Sequence, residues 1–248
     1  MRKNLLLIAL AILSVTVYGQ KVWNVGNDPT NFPVSAGIGA GPDHSFFIDG
    51  LGIHTGSATN VNMGQVEASA KTFTSLTTST EYTFINRFKF NGGGYSGSAA
   101  GDETPSTMMP TQRYLTVNVS GNSTLYFIGT SGSSSSARKM FVTNGTNLIG
   151  TLDYPDGTLQ EGSVEYTGSA TTLYIYCNAA INLYYISATN AVASSVNTID
   201  TNKTIVSEKL YNILGHEIPA TSKGLVLRKV SYSDGTESTV KNFIRWEN

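Results

Sequence analysis

The sequence predicts an all-β protein: an antiparallel, jelly-roll-like β-sandwich followed by a small C-terminal β-sandwich-like unit. Three observations carry this. Between Gln20 and Ala188, short runs alternate between apolar and polar residues, without a 3.6-residue period. Gly, Asn, Asp, Pro and Ser punctuate these runs as they do in sandwiches and barrels. The chain is 40% hydrophobic but only 13% charged, about half the usual charged share of a globular domain. Its 248 residues leave room for one or two domains with a real core.

The same composition excludes several function classes. The 16 basic and 17 acidic residues sum to a net charge of −1. Nucleic acid is therefore not an expected partner, because its phosphates need clustered Lys and Arg. A chain with one Cys supports neither a disulfide framework nor a Cys-based zinc site. No cofactor or metal is expected.

In chain order, residues 1–19 read as a secretory signal peptide. Arg2 and Lys3 supply the positive start, Leu5 to Val17 the apolar stretch, and Gly19 the small residue before Gln20. That stretch is too short to cross a bilayer, which takes about 20 residues. No other run is long and apolar enough, so the mature protein is expected to lack a transmembrane segment and to be secreted or held at the outer cell surface after passing the periplasm.

The body, residues 20–188, reads as a row of strands. Arg113 to Val119 sets Leu115, Val117 and Val119 on one face. Thr124 to Ile128 sets Leu125 and Phe127 against Tyr126 and Ile128. Thr172 to Cys177 sets Leu173, Ile175 and Cys177 against Tyr174 and Tyr176, and Ile181 to Ser187 follows. Asn144-Gly145 and Asp156-Gly157 are hairpin-type turn signals. Asn91 to Pro110 forms a long Gly-, Ser- and Pro-rich loop, either functional or mobile, and Ser131 to Ser136 forms a second loop. Residues 189–202 have the composition of a linker. Residues 203–248 carry three further apolar runs, Leu210 to Leu214, Leu225 to Val230 and Val240 to Ile244, punctuated by Gly215 and Asp234-Gly235.

The ordered segments Val206 to Ile218, Lys223 to Val230, Tyr232 to Gly235 and Val240 to Arg245 resemble the C-terminal sorting domain of the type IX secretion system of Bacteroidetes. The resemblance covers about the last 45 residues of the chain. It maps the sorting signal onto Tyr211, Leu214, Gly215, Gly224, Arg228, Lys229, Asp234, Gly235 and Lys241. It implies a tail read as an address by the type IX secretion machinery, and commonly removed there. The body is similar to a β-sandwich module that accompanies Bacteroidetes pectate lyases. That likeness rests on Trp23-Asn24, Phe47 to Ile53, Arg87 to Gly93, Pro110 to Leu115, Gly132 to Arg138 and Thr171 to Tyr176. It implies carbohydrate binding, or an accessory role to it.

Catalytic patterns are poor. Cys177 lies on an apolar strand face, as a small buried hydrophobe does, and no nucleophile elbow or phosphate-cradling loop occurs. Asp43, Asp49, Asp102 and Glu103 lack the partnering that glycan cleavage requires. Asp102-Glu103 is either a solvated loop pair or a calcium ligand pair. The chain is therefore read as no enzyme. Its expected function is that of a secreted, non-catalytic carbohydrate-binding or polysaccharide-associated protein; the alternative is a surface adhesive protein that binds other proteins. Aromatic rings stack on the apolar faces of sugars, while polar side chains satisfy hydroxyls. The candidates are Trp23, Tyr95, Tyr174, Tyr176 and Tyr184, with Arg113 and Arg138 for sugar carboxylates. Tyr174 and Tyr176 share a strand face and either point outward side by side or lie beneath a loop.

Overall fold

The computed structural model describes residues 19–34, 43–57, 63–192, 205–212, 214–219, 224–232 and 237–244. Residues 1–18 of the expected signal peptide, most of the expected linker, and Asp234 and Gly235 lie outside the described residues. The chain divides into two compact units, Met1–Ser194 and Ser195–Asn248. The described residues contain strands and no helix.

In the first unit the strands are β1 (Lys21–Trp23), β2 (Ser45–Ile48), β3 (Leu51–Gly56), β4 (Gln65–Thr74), β5 (Glu81–Phe90), β6 (Gln112–Val119), β7 (Ser123–Ser131), β8 (Arg138–Thr143), β9 (Leu148–Tyr154), β10 (Gln160–Tyr166), β11 (Thr171–Cys177) and β12 (Ile181–Ala188). They form two six-stranded antiparallel sheets. One has the order β10-β7-β12-β5-β4, with β1 also paired to β12; the other has the order β2-β3-β6-β11-β8-β9. From β5 onward the chain keeps switching sheets, and only β8 and β9 follow one another within a sheet.

Period-two alternation explains the core. Leu115, Val117 and Val119 meet Leu173, Ile175 and Cys177 in one buried cluster with Leu125, Phe127, Phe88, Phe90, Leu183 and Ile186. Trp23 belongs to this core at 3% exposure, and its indole N–H donates to the carbonyls of Ile48 (3.1 Å) and Asp49 (3.3 Å). In β12 the register shifts between Leu183 and Tyr185. This bulge lets Tyr184 and Tyr185 both reach the opposite face of the sheet.

Asp156-Gly157 makes no hairpin. It joins β9 of one sheet to β10 of the other, with Asp156 Oδ1 accepting the Thr158 amide (2.7 Å) and hydroxyl. Asn144-Gly145 does turn the β8–β9 pair, and Gly145 has φ +88°. The sandwich extends past Ala188: the Thr189 amide bonds Thr124 O at 3.1 Å, the Val192 amide bonds Asn118 O at 2.9 Å, and Ala191 bridges Val119.

The β4–β5 hairpin curls over the outer face of the first sheet. Its bend follows a register shift between Ala68 and Lys71. Where β5 leaves β12, the backbone of Gly26 fills the gap: its N–H donates to Tyr184 O, and its carbonyl accepts the amides of Ile85 and Asn86. Beneath the curled end, Phe84, Tyr184 and Ile128 form a second buried cluster, flanked by Phe73, Tyr82, Tyr126, Leu159 and Tyr185. Glu161 of β10 latches the tip. It accepts from Ser75 Oγ (2.6 Å), the amides of Leu76 (2.8 Å) and Thr77 (3.0 Å), and the Tyr126 hydroxyl.

In the second unit, β13 (Ile205–Tyr211), β14 (Glu217–Ile218), β15 (Gly224–Tyr232) and β16 (Glu237–Ile244) form one four-stranded antiparallel sheet, β14-β13-β15-β16. Its described strands thus make a single layer where a sandwich-like unit is expected.

Candidate functional site

The outer face of the second sheet is built by cross-strand register. One row runs Ser45, His54, Tyr114, Tyr176, Phe141; the next runs Phe47, Gly52, Thr116, Tyr174, Thr143. Alternation that sends Leu173 and Ile175 inward sends Tyr174 and Tyr176 to this face together.

The long loop 91–110 divides the face in two. It is an ordered cover over Tyr176 and Phe141, which cluster with the loop's own Tyr95. The Tyr176 hydroxyl donates to Thr107 O at 2.6 Å, and Thr143 Oγ1 donates to Met108 O at 2.6 Å. Asn178 Nδ2 donates to Ala100 O (2.9 Å) and Asp102 O (3.2 Å), tying the loop to the end of β11. A Cβ on Gly94 would lie 2.5 Å from Tyr176 Cβ and 2.6 Å from its ring. Glycine is the residue that permits this approach.

Four of the five expected aromatic contacts are therefore closed to a ligand. Trp23, Tyr95, Tyr176 and Tyr184 are each no more than 3% exposed. Tyr95 donates to Asp102 Oδ2 at 2.6 Å; burial first, then this carboxylate, raises its phenol pKa. Tyr184 of β12 shares a 2.9 Å hydrogen bond with Ser69 of β4 in the first sheet. Of the tyrosine pair, only Tyr174 remains partly open.

The open half of the face carries partners that alternation alone does not single out. Phe47 meets His54 edge-on at 5.7 Å, His54 stacks on Tyr114 at 4.6 Å and 16°, and Tyr114 lies 6.0 Å from Tyr174. Phe47, at 44% exposure, is the open end of this aromatic strip. Gly52 lets the His54–Thr116 hydrogen bond close over its backbone, since a Cβ there would lie 2.1 Å from Thr116 Oγ1 and 2.6 Å from His54 Nε2. The signal available in the sequence was the run Phe47 to Ile53, with Gly50 and Gly52 within it, and Tyr114 directly before Leu115.

His54 is held at both nitrogens, Nδ1 by Ser45 Oγ and Nε2 by Thr116 Oγ1, each at 2.8 Å. Burial lowers its pKa to about 4, so the ring is neutral at physiological pH. Burial also raises the Tyr114 phenol, with Tyr174 and Asp43 adding to the shift. Although Ser45 and His54 have the spacing of a nucleophile and base, the far nitrogen of the ring meets a hydroxyl and not a carboxylate. An imidazolium formed there would lack the counter-charge that a hydrolytic triad provides.

Arg113 and Arg138 lie elsewhere. Arg113, at φ +48°, runs beneath Gly92 and reaches Gly93 O at 3.5 Å. Arg138 opens β8 opposite Tyr154, and its Nε is buried without a hydrogen bond. Asp102 and Glu103 turn to different partners: Asp102 holds Tyr95 and the Ala99 amide (2.9 Å), whereas Glu103 pairs with Lys139 at 3.1 Å.

In the second unit, Tyr211 ends β13 and Gly224 opens β15. Between them, Asn212 Oδ1 accepts the amides of Leu214 and His216, each at 3.0 Å, in a turn where Gly215 has φ +82° and Leu214 is exposed. Arg228 pairs with Glu208 at 2.6 Å and Lys229 with Glu237 at 2.7 Å. The Lys241 backbone sits opposite Leu227; its side chain is outside the described residues.

No family model matches this sequence, and no curated protein matches it. Solved structures do. The CBM36-1 domain of a multidomain xylanase from the hindgut metagenome of Trinervitermes trinervoides is 14% identical, with 42% of this chain and 99% of that one covered and a TM-score of 0.27. The K3 cleaved adhesin domain of Lys-gingipain from Porphyromonas gingivalis is 14% identical, with coverages of 43% and 75% and a TM-score of 0.30. The CBM22-1 xylan-binding domain of Paenibacillus barcinonensis Xyn10C is 10% identical, with coverages of 63% and 99% and a TM-score of 0.30. Likenesses at this level assign no ligand to this chain.

Proposed function

We propose that this protein is a non-catalytic carbohydrate-binding protein, directed out of the cell by an N-terminal signal peptide and a type IX sorting tail. One observation carries the binding reading: the partly open strip Phe47, His54, Tyr114 and Tyr174 on a sheet face. Such rings bury the C–H faces of pyranoses, and the rim hydroxyls of Ser45 and Thr116 meet sugar hydroxyls. The non-catalytic reading is supported by three of the four carboxylates weighed for catalysis. Asp49 pairs with Lys21, Asp102 holds Tyr95, and Glu103 pairs with Lys139.

The test is affinity electrophoresis of the protein without its tail through a panel of neutral polysaccharides. Retardation is expected with at least one glycan, and Tyr174→Ala should abolish it while the melting temperature stays near that of the parent. An unretarded protein across the panel overturns the reading. Sugar-independent binding to cells or proteins would favour the adhesive alternative, which the exposure of both Phe46 and Phe47 on edge strand β2 supports. For the tail, a fluorescent protein carrying residues 203–248 behind a signal peptide should leave a type IX-competent cell. Retention in the periplasm overturns that assignment.

A further inference from the structure

The curled β4–β5 hairpin of the first sheet borders a cleft that shares no residue with the aromatic strip. Its volume is about 540 Å³, and it is lined by Lys71, Thr72 and Phe73 of β4, Ser134 of the serine-rich loop, and Asp156 to Leu159 of the crossing between sheets. That volume lies within the range of small-ligand sites, about 300–1,000 Å³. Two properties set it apart from an ordinary groove between loops. Phe73 and Leu159, both half-buried, give it an apolar floor. Lys71 stands exposed and makes no salt bridge among the described residues, whereas Lys21, Arg87, Lys89 and Lys139 of the same unit each have an acidic partner within 3.1 Å.

We propose that this cleft is a second glycan subsite, selective for an acidic sugar unit bearing a carboxylate. The ring's C–H face lies on Phe73 and Leu159, the uronate carboxylate meets Lys71, and Ser134 and Thr158 meet ring hydroxyls. Asp156 sharpens the selectivity. Hydrogen bonds from the Thr158 side chain and amide hold its pKa low, so it stays ionised and accepts sugar hydroxyls. Asp156 adds one negative charge to the lining, which repels a multiply charged phosphate more than a single carboxylate. The neutral strip on the second sheet and this cleft would then read different units of a mixed polysaccharide.

Calorimetric titration of the full chain with trigalacturonic acid and with its methyl ester tests the proposal. The two probes share ring shape and differ in charge. The free acid should bind, with the ester about tenfold weaker, as expected for loss of one charge-assisted contact. Lys71→Gln should remove that preference, Phe73→Ala should weaken both probes, and Tyr174→Ala on the opposite sheet should leave the preference intact. Equal affinity for acid and ester, no binding of either, or a preference that survives Lys71→Gln overturns the proposal. Because Lys71 is exposed, its variant should melt with the parent, which separates loss of binding from loss of fold. Loss of neutral-glycan binding with this preference intact would overturn the strip alone.

Discussion

At the scale of single residues, His54 carries the clearest pH signature. Burial holds its folded-state pKa at about 4, against 6.5 for an exposed ring. Between these values the unfolded chain binds a proton that the folded protein refuses. Stability from this group is therefore complete above pH 6.5 and declines as pH falls toward 4, with a slope of up to about 1.4 kcal/mol per pH unit. Chemical denaturation across pH 4–7 should show this slope, and His54→Gln should flatten it relative to the parent. The residue scale is also where reading from sequence fell short. Alternation placed Tyr174 and Tyr176 on one face correctly, but nothing in a strand pattern reports which stretch of a face a distant loop covers. Tyr176 is closed by residues about 70 positions earlier, and His54 joins Tyr114 only through the β3–β6 pairing.

At the scale of elements, two segments hold the sandwich's outer faces. The 91–110 cover depends on Gly94 lying against Tyr176. Gly94→Ala should push the loop away, costing about 1–3 kcal/mol as overpacking does, seen as a lower melting temperature and faster amide exchange in the loop. The hairpin tip depends on Glu161. Although desolvation opposes its charge, hydrogen bonds from Ser75, Tyr126 and Thr77 prevail and lower its pKa. Its support is thus full above the ordinary glutamate range and is lost as pH falls through the lowered value. Glu161→Gln should cost about 1–3 kcal/mol, with faster exchange confined to residues 75–80. The strands themselves were readable, because alternation is a local property. Their joining was not: Asp156-Gly157 has a hairpin's composition, yet its flanking strands find partners in different sheets.

At the scale of the whole molecule, the two units make separable claims. Residues 20–194 should fold and bind glycan without the tail, with one cooperative calorimetric transition. Any loss of glycan affinity on removing residues 195–248 would contradict this. Low charge favours this division of labour. Among the described residues, Lys21, Arg87, Lys89 and Lys139 of the sandwich are already paired with carboxylates, whereas Lys71 has no acidic partner.

The pairing of β1 with β12, Lys21 opposite Ala188 and Trp23 opposite Ile186, has a kinetic consequence. The first strand of the sandwich waits for the last, so a chain emerging in order, from a ribosome or a translocon, cannot close its core until nearly the whole body is out. Sheets assembled from such distant strands have high contact order and fold in roughly milliseconds to seconds. During that interval the unpaired edges remain open to other chains, and a partly emerged body is the species most exposed to aggregation and proteolysis.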